Sequence, residues 1–393
     1  MAGNSFLTSF YIVKRLARGY ARASANAPKL TVSRVQTYQI PGTFALKCGE
    51  LTTPHLAYET WGELNAQRDN AVFLFTGLSP SAHAASSTSD PSVGWWEDMV
   101  GPDKPIDSNR FFIVCMNSLG SCFGSTGPAS EDPATGQPYR LTFPVLSLED
   151  IACAAAELLD HLGVEVLHSV VGASMGGMTA LAFSMLHPER TRALISISSA
   201  ARSLPFSIAL RSLQRELIWG DAAWENGNYP LDRPPVNGMR LARKLGMISY
   251  RSATEWDRRF GRERAMDDLH QGHAFGIDFE VESYLQAHAN RFVGSFDPNC
   301  YLYLSRAMDL FDTADHGGSL RAGLARVTCE RVMIIGVETD ILFPMQQQQE
   351  LAAGLRESVR QVTFHELNSI QGHDSFLVDM DQFRPPIAAF FES

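Results

Sequence analysis

The chain has 393 residues, 45% hydrophobic and 19% charged. That balance argues against a disordered or coiled-coil protein and suits either two or three domains or one α/β domain with an insertion. A formal net charge of −10 argues against a general nucleic-acid binder, which needs a basic face to displace counterions from phosphate.

The charge is unevenly placed. Residues 1–47 hold seven basic residues (Lys14, Arg15, Arg18, Arg22, Lys29, Arg34 and Lys47) and no acid, whereas the remainder holds 26 basic and 43 acidic residues. On a helical wheel Phe6, Phe10, Val13, Ala17 and Tyr20 share one face, and Lys14, Arg18 and Arg22 another. An acid-free, Arg-, Ser- and Ala-rich amphipathic start is the pattern of an organelle transit peptide, so residues 1–35 read as a leader to the mitochondrion. The plainer reading is a basic tail on a cytoplasmic protein. No run of 18 apolar residues occurs, so no transmembrane helix is expected.

Ala57–Trp61, Val72–Phe75 and Phe111–Met116 read as strands. In SLEDIACAAAELLDHLG, Ser147 and Asp150 occupy the positions of a capping box. Ile151, Ala154, Ala155, Leu158 and Leu162 form an apolar stripe at helical spacing, and Gly163 suits a left-handed C-terminus. Val164–Val171 reads as the next strand, followed by a Gly-rich turn, a helix over Met178–His187 and a strand over Ala193–Ser198. This rhythm predicts a mostly parallel sheet with helices on both faces. It stops at residues 201–326, a helix-rich stretch, and resumes with a strand over Val332–Val337, a helix over Gln346–Arg356 and a strand over Gln361–Leu367. The predicted organisation is an α/β core over 36–200 and 327–393, with a helical lid inserted at 201–326.

The six cysteines lack paired C-x-x-C spacing, and no H-E-x-x-H is present, so reduced, mostly buried thiols and no metal are expected. Gly172-Ala173-Ser174-Met175-Gly176 matches G-x-S-x-G between a predicted strand and a predicted helix. That setting makes Ser174 the candidate nucleophile, because the sharp turn lifts its hydroxyl above the sheet edge. A serine needs a base, and the base needs an orienting acid, in the order Ser, acid, His for this arrangement. Asp340 follows a strand and fits the acid better than Glu338. His373 lies in a loop and fits the base better than His365, which sits within a strand. The backbone N–H groups of Met175 and Leu78 are the candidate oxyanion donors.

Several blocks together resemble the homoserine/serine O-acyltransferase family of the α/β-hydrolase superfamily. They include LAYETWG, TGLSPSAHA, GWWEDMVGP, LGSCFGSTGP, GASMGGMTAL, LPFSIALRSLQRE, GMRLARKLGMISYRS and GHDSF. Within the family, ATGQPYRLTFP and FDPNCYLYLSRAMDLFD look most like the serine O-succinyltransferase branch, and they also resemble fungal serine O-acetyltransferases. The resemblance implies an α/β-hydrolase fold and a ping-pong transfer through an acyl-Ser174. It implies acyl-CoA as co-substrate, either succinyl-CoA or acetyl-CoA, with L-serine or L-homoserine as acceptor. It further implies that Arg243 binds the acceptor carboxylate and Asp374 its ammonium, that Gly77, Leu78, Ser79 and Pro80 line the acceptor pocket, and that Arg211 reads the acyl group. Arg215 shares a helix face with Arg211. Family members are often homodimers. A serine esterase or thioesterase on the same triad is the reading of another class. Trp95–Trp96 is expected in the core and Arg258–Arg259 at the surface.

Overall fold

A computed structural model of the chain describes residues 35–266 and 275–392. The leader reading falls, apart from residue 35, outside the described residues. Eight strands form the central sheet: β1 (Gln36–Gln39), β2 (His55–Trp61), β3 (Ala71–Phe75), β4 (Phe112–Met116), β5 (Ser169–Ala173), β6 (Ala193–Ile197), β7 (Arg331–Val337) and β8 (Gln361–Leu367). Their spatial order is β1-β2-β4-β3-β5-β6-β7-β8. β2 pairs antiparallel with both β1 and β4, and all other pairings are parallel.

Residues of the central strands alternate between two apolar layers, as the period of two requires. On β3, Ala71, Phe73 and Phe75 join the layer under helices α1 (Leu148–Leu162) and α2 (Met175–Leu186), while Val72 and Leu74 face the other layer. That second layer includes Phe383, Ile387, Phe390 and Phe391 of the C-terminal helix. α1 is bounded as expected. The Ser147 hydroxyl accepts from the Asp150 N–H, the Asp150 carboxylate accepts from the Ser147 N–H, and Gly163 closes the helix at φ 67°.

The strand expected over Val164–Val171 begins only at Ser169. The Arg190 guanidinium instead takes the carbonyls of Val164 and Glu165 at 2.7 and 3.0 Å, which removes them from the sheet. The helix expected from Met178 starts three residues earlier, directly after Ser174. β1 and a small hairpin of Thr43–Leu46 with Gly49–Thr52 were not anticipated, because four-residue strands of mixed exposure carry little periodic signal.

Between β6 and β7 the chain forms α3 (Pro205–Trp219), α4 (Val236–Tyr250), α5 (Ala253–Phe260), α6 (Glu280–Phe292) and α7 (Pro298–Leu310). The two ends of this helical insertion meet: the Thr313 N–H donates to the Ala201 carbonyl at 3.0 Å, and Arg202 bridges to Asp312. All six cysteines are free, with Cys115, Cys300 and Cys329 buried. Among the described residues no helix is long and apolar enough to cross a membrane.

Candidate active site

Strands β3, β5, β7 and β8 are parallel, so the residues following them emerge at one edge of the sheet. Ser174 follows β5, Asp340 follows β7, His373 follows β8, and Gly77–Pro80 follow β3. Ser174 sits at φ 57° and ψ −126°, a conformation that a residue with a side chain adopts only when its surroundings impose it. Its N–H is held by the Ile197 carbonyl of β6 at 2.9 Å. The flanking glycines are a steric need: a Cβ at Gly172 would lie 2.1 Å from the Gly176 carbonyl oxygen, and one at Gly176 would lie 2.2 Å from that of Phe75.

The expected triad comes together. Ser174 Oγ lies 2.8 Å from His373 Nε2, and His373 Nδ1 lies 2.7 Å from Asp340 Oδ2. Asp340 is buried and accepts through Oδ1 from the N–H groups of Leu342 and Phe343 at 2.9 and 3.0 Å. A carboxylate so loaded accepts from Nδ1–H, which leaves Nε2 free to take the serine proton. Burial pulls the His373 pKa down, but the charge and hydrogen bond of Asp340, with Asp374, outweigh burial and the nearby Arg211. The net pKa lies above the ordinary histidine value. Phe343 stacks on the ring at 5.2 Å and Phe376 meets it edge-on at 5.7 Å, which fixes its plane. The competitors take no part in these hydrogen bonds: Glu338 is exposed, and His365 lies within β8.

The two expected oxyanion donors are the N–H groups of Met175 and Leu78. Met175 is the first residue of α2, where N–H groups have no partner within the helix and the dipole favours negative charge. Leu78 lies in the half-buried turn after β3.

These groups open into a cavity of about 140 Å³ under the helical insertion. Gly77, Leu78, Ser79, Pro80, Ser174, Arg211, Arg243, His373 and Asp374 all line it. Arg211 is buried and held twice, by Asp309 Oδ1 on Nε and by Ser203 Oγ on Nη2, both at 2.6 Å. Arg215 reaches Asp309 Oδ2 at 2.7 Å, so one carboxylate serves two guanidinium groups. The Arg243 guanidinium lies 4.5 Å over the Phe292 ring and has no ion-pair partner among the described residues. Asp374 is 3.5 Å from Arg251 Nε.

The insertion is tied to the histidine loop. Ser252 Oγ donates to the Ile370 carbonyl, Arg251 donates to Gln371 Oε1 at 2.8 Å, and a Cβ at Gly372 would strike the backbone of Arg251 and Ser252 at 2.8 Å.

Sequence reasoning missed Asp309, Ser203, Gln214, Tyr250 and Tyr301. Gln214, Tyr250 and Tyr301 also line the cavity. Gln214, Tyr250, Tyr301 and Asp309 lie in the blocks that carry the family resemblance, and Ser203 directly precedes one of them, but nothing local in those blocks marks them as cavity residues or arginine partners. Trp95 departs from the expected pair: Trp96 is buried, but Trp95 is part of the cavity wall. Arg258 is exposed as expected, whereas Arg259 is half-buried over the Tyr284 ring at 4.2 Å.

A mostly parallel sheet with a strand–serine–helix elbow at its carboxyl edge defines the class, the α/β-hydrolase fold. The family described as alpha/beta hydrolase fold matches residues 70–377. A serine O-succinyltransferase of Litchfieldella anticariensis is 56% identical over 354 residues, covering 90% of this chain and 96% of the relative. One of Stenotrophomonas maltophilia strain K279a is 57% identical over 358 residues, covering 91% and 97%. Among solved structures, a homoserine O-acetyltransferase from Bacillus anthracis superposes with a TM-score of 0.85 at 25% identity, covering 92% of this chain and 98% of that one. Esterase E22 superposes with a TM-score of 0.82 at 28% identity, covering 90% and 98%. Within the α/β-hydrolase fold, the chain belongs to the homoserine/serine O-acyltransferase family.

Proposed function

We propose that this enzyme transfers the acyl group of succinyl-CoA to the hydroxyl of L-serine and so feeds cysteine biosynthesis. The observation that supports it most is the Ser174–His373–Asp340 line opening into a cavity that holds Arg211 and Arg243. The 56–57% identity to serine O-succinyltransferases over nearly their whole length points the same way.

His373 Nε2 takes the Ser174 proton as Oγ attacks the thioester carbonyl. The Met175 and Leu78 N–H groups receive the oxyanion. The carbon–sulfur bond then breaks, the His373 proton passes to the departing sulfur, and a succinyl ester remains on Ser174. L-Serine enters with its carboxylate on Arg243 and its ammonium on Asp374. Its hydroxyl gives a proton to His373 and attacks the ester carbonyl. The bond to Ser174 Oγ breaks and the oxygen recovers the proton from His373. Arg211 meets the distal carboxylate of the succinyl group. Water must lose to the serine hydroxyl, and the helical insertion closed over the cavity provides that exclusion.

The test supplies the purified protein with succinyl-CoA or acetyl-CoA against L-serine or L-homoserine and follows thiol release and product mass. Sustained thiol release that requires L-serine, with O-succinylserine as product, is expected. Ser174→Ala should lower the rate by about four orders of magnitude or more. Sustained release without an acceptor would instead identify a thioesterase, and preferential acylation of homoserine would overturn the acceptor.

A further inference from the structure

Residues 56–62, 76–84 and 94–102 supply no side chain to the serine–histidine–aspartate line, yet they meet beside the cavity. Glu59 of β2 is buried opposite Cys115 of β4. Its Oε2 lies 2.8 Å from His83 Nδ1, and its buried Oε1 has no hydrogen-bond partner among the described residues. His83 Nε2 lies 3.0 Å from the Ser92 carbonyl oxygen and 3.1 Å from Ser92 Oγ. That hydroxyl donates its own proton to Asp90 Oδ1 at 2.6 Å, so it presents lone pairs to the ring. Both ring nitrogens therefore face acceptors. A neutral imidazole donates from one nitrogen, whereas an imidazolium donates from both.

The ring is joined to the cavity wall through its own backbone. The His83 carbonyl accepts from the Trp95 N–H at 3.2 Å, the Ala84 carbonyl accepts from the Trp96 N–H at 2.8 Å, and Trp95 Nε1 donates to the Ser81 carbonyl at 3.0 Å. A Cβ at Gly94 would lie 2.3 Å from the Ala84 backbone, so the two segments touch. Trp95 and Gly77–Pro80 line the same cavity as Ser174.

We propose that His83, held as an imidazolium between Glu59 and Ser92, is a positioning residue that fixes Trp95 and the turn Gly77–Pro80 against the sheet. The clamp loosens when the ring loses its proton. Its effect on catalysis rests on the reading of Leu78 as an oxyanion donor.

Burial pulls the His83 pKa down, but hydrogen bonds to Glu59 and Ser92 and the charges of Glu59 and Asp90 bring it above the ordinary histidine value. Cys115, the other titratable group against Glu59, is neutral: burial first, then the Glu59 charge, push its thiol well up. A raised folded-state pKa means the clamp is complete below the ordinary value and is lost as pH rises through the folded value. His373 works with the opposite sign, because it must be neutral to act as base. The first half-reaction should therefore rise with pH as His373 loses its proton and fall as His83 loses its own.

The test uses the full chain labelled with 15N in histidine and tryptophan, titrated from about pH 5.5 to about pH 9. His83 and Trp95 are assigned by the signals missing in His83→Gln and Trp95→Phe. His83 should keep both ring protons at about pH 7, and the Trp95 indole signal should shift with the same midpoint. Glu59→Gln keeps the shape and one acceptor oxygen but removes the charge. It should lower the His83 midpoint by about one unit or more. The alkaline limb of single-turnover thiol release from succinyl-CoA, without acceptor, should move with it. A neutral His83 at about pH 7 in the wild-type protein overturns the proposal without any variant. So does a shifted His83 midpoint that leaves the Trp95 signal and the alkaline limb in place. If the wild-type protein releases no thiol at all, the acyl-transfer reading fails, while the His83 and Trp95 midpoints still decide the clamp.

Discussion

Arg211 and Arg215 stand four residues apart on α3, so they share a face and repel one another. Asp309 of α7 lies between them, with one carboxylate oxygen on each guanidinium. Two cations on one anion leave a residual positive charge beside the Ser174 cavity. An acyl group that brings its own carboxylate neutralises that charge; an acetyl group does not. Arg211→Leu should therefore weaken use of succinyl-CoA by about 10- to 100-fold, the worth of a charged hydrogen bond, with acetyl-CoA little affected. Steady-state kinetics with both donors checks this, and equal losses would remove Arg211 from donor choice. The arginine pair was legible because spacing within one helix is local. Asp309 was not, because its partner Arg211 is 98 residues away and only tertiary packing sets α7 against α3. Ser305 and Asp309, four residues apart, face Arg215 and both arginines respectively, but that spacing alone does not mark them as arginine partners.

At the scale of elements, the elbow depends on backbone contact. β5, α2 and β3 approach so closely at Gly176 that a methyl group would sit 2.2 Å from the Phe75 carbonyl oxygen, which is backbone and has no freedom to turn away. Gly176→Ala should cost about 3 kcal/mol through overpacking and displace Ser174 Oγ from His373. Denaturant unfolding beside the thiol-release assay checks both, and a variant of wild-type stability and rate would contradict the close approach. Elements whose limits are set within a few residues were the legible ones. The Ser147–Asp150 box and Gly163 bound α1 as read, and the elbow sits where G-x-S-x-G places it. The strand before the elbow was misplaced because Arg190, more than twenty residues further on, captures carbonyls that the apolar run alone would assign to the sheet. The insertion was legible as a break in rhythm, but not its docking on the histidine loop through Arg251 and Ser252, which no periodicity records.

For the whole molecule, stability and activity should peak at different pH. Burial holds His168 and His288 at about 4, helped at His288 by Arg291 and Arg259, and it also lowers His187 and His365. On unfolding these four rings take up protons below about pH 6.5, so stability falls as pH drops through that window. Glu97 adds to the loss at lower pH. Burial opposes its charge, but the Ser86 N–H and Lys104 lower its pKa to about 2. Its contribution is present above the ordinary carboxylate value and disappears as pH falls toward 2. On the other side, His83 and His373 lie above the ordinary histidine value, so their contribution fades as pH rises. Above about pH 8.5 the buried thiols extend the trend. Burial raises Cys153 to about 11 and Cys329 to about 12, so unfolded thiols ionise while folded ones do not. The thermal midpoint should therefore be highest near pH 6.5, roughly where the two groups of histidines exchange dominance, and should fall on both sides. The acylation rate should peak at higher pH, because His373 serves as base only after losing a proton that the fold helps it to keep. Thermal unfolding and single-turnover thiol release across the same buffers check the separation. Coincident maxima would mean that His373 is not held above the ordinary histidine value by Asp340.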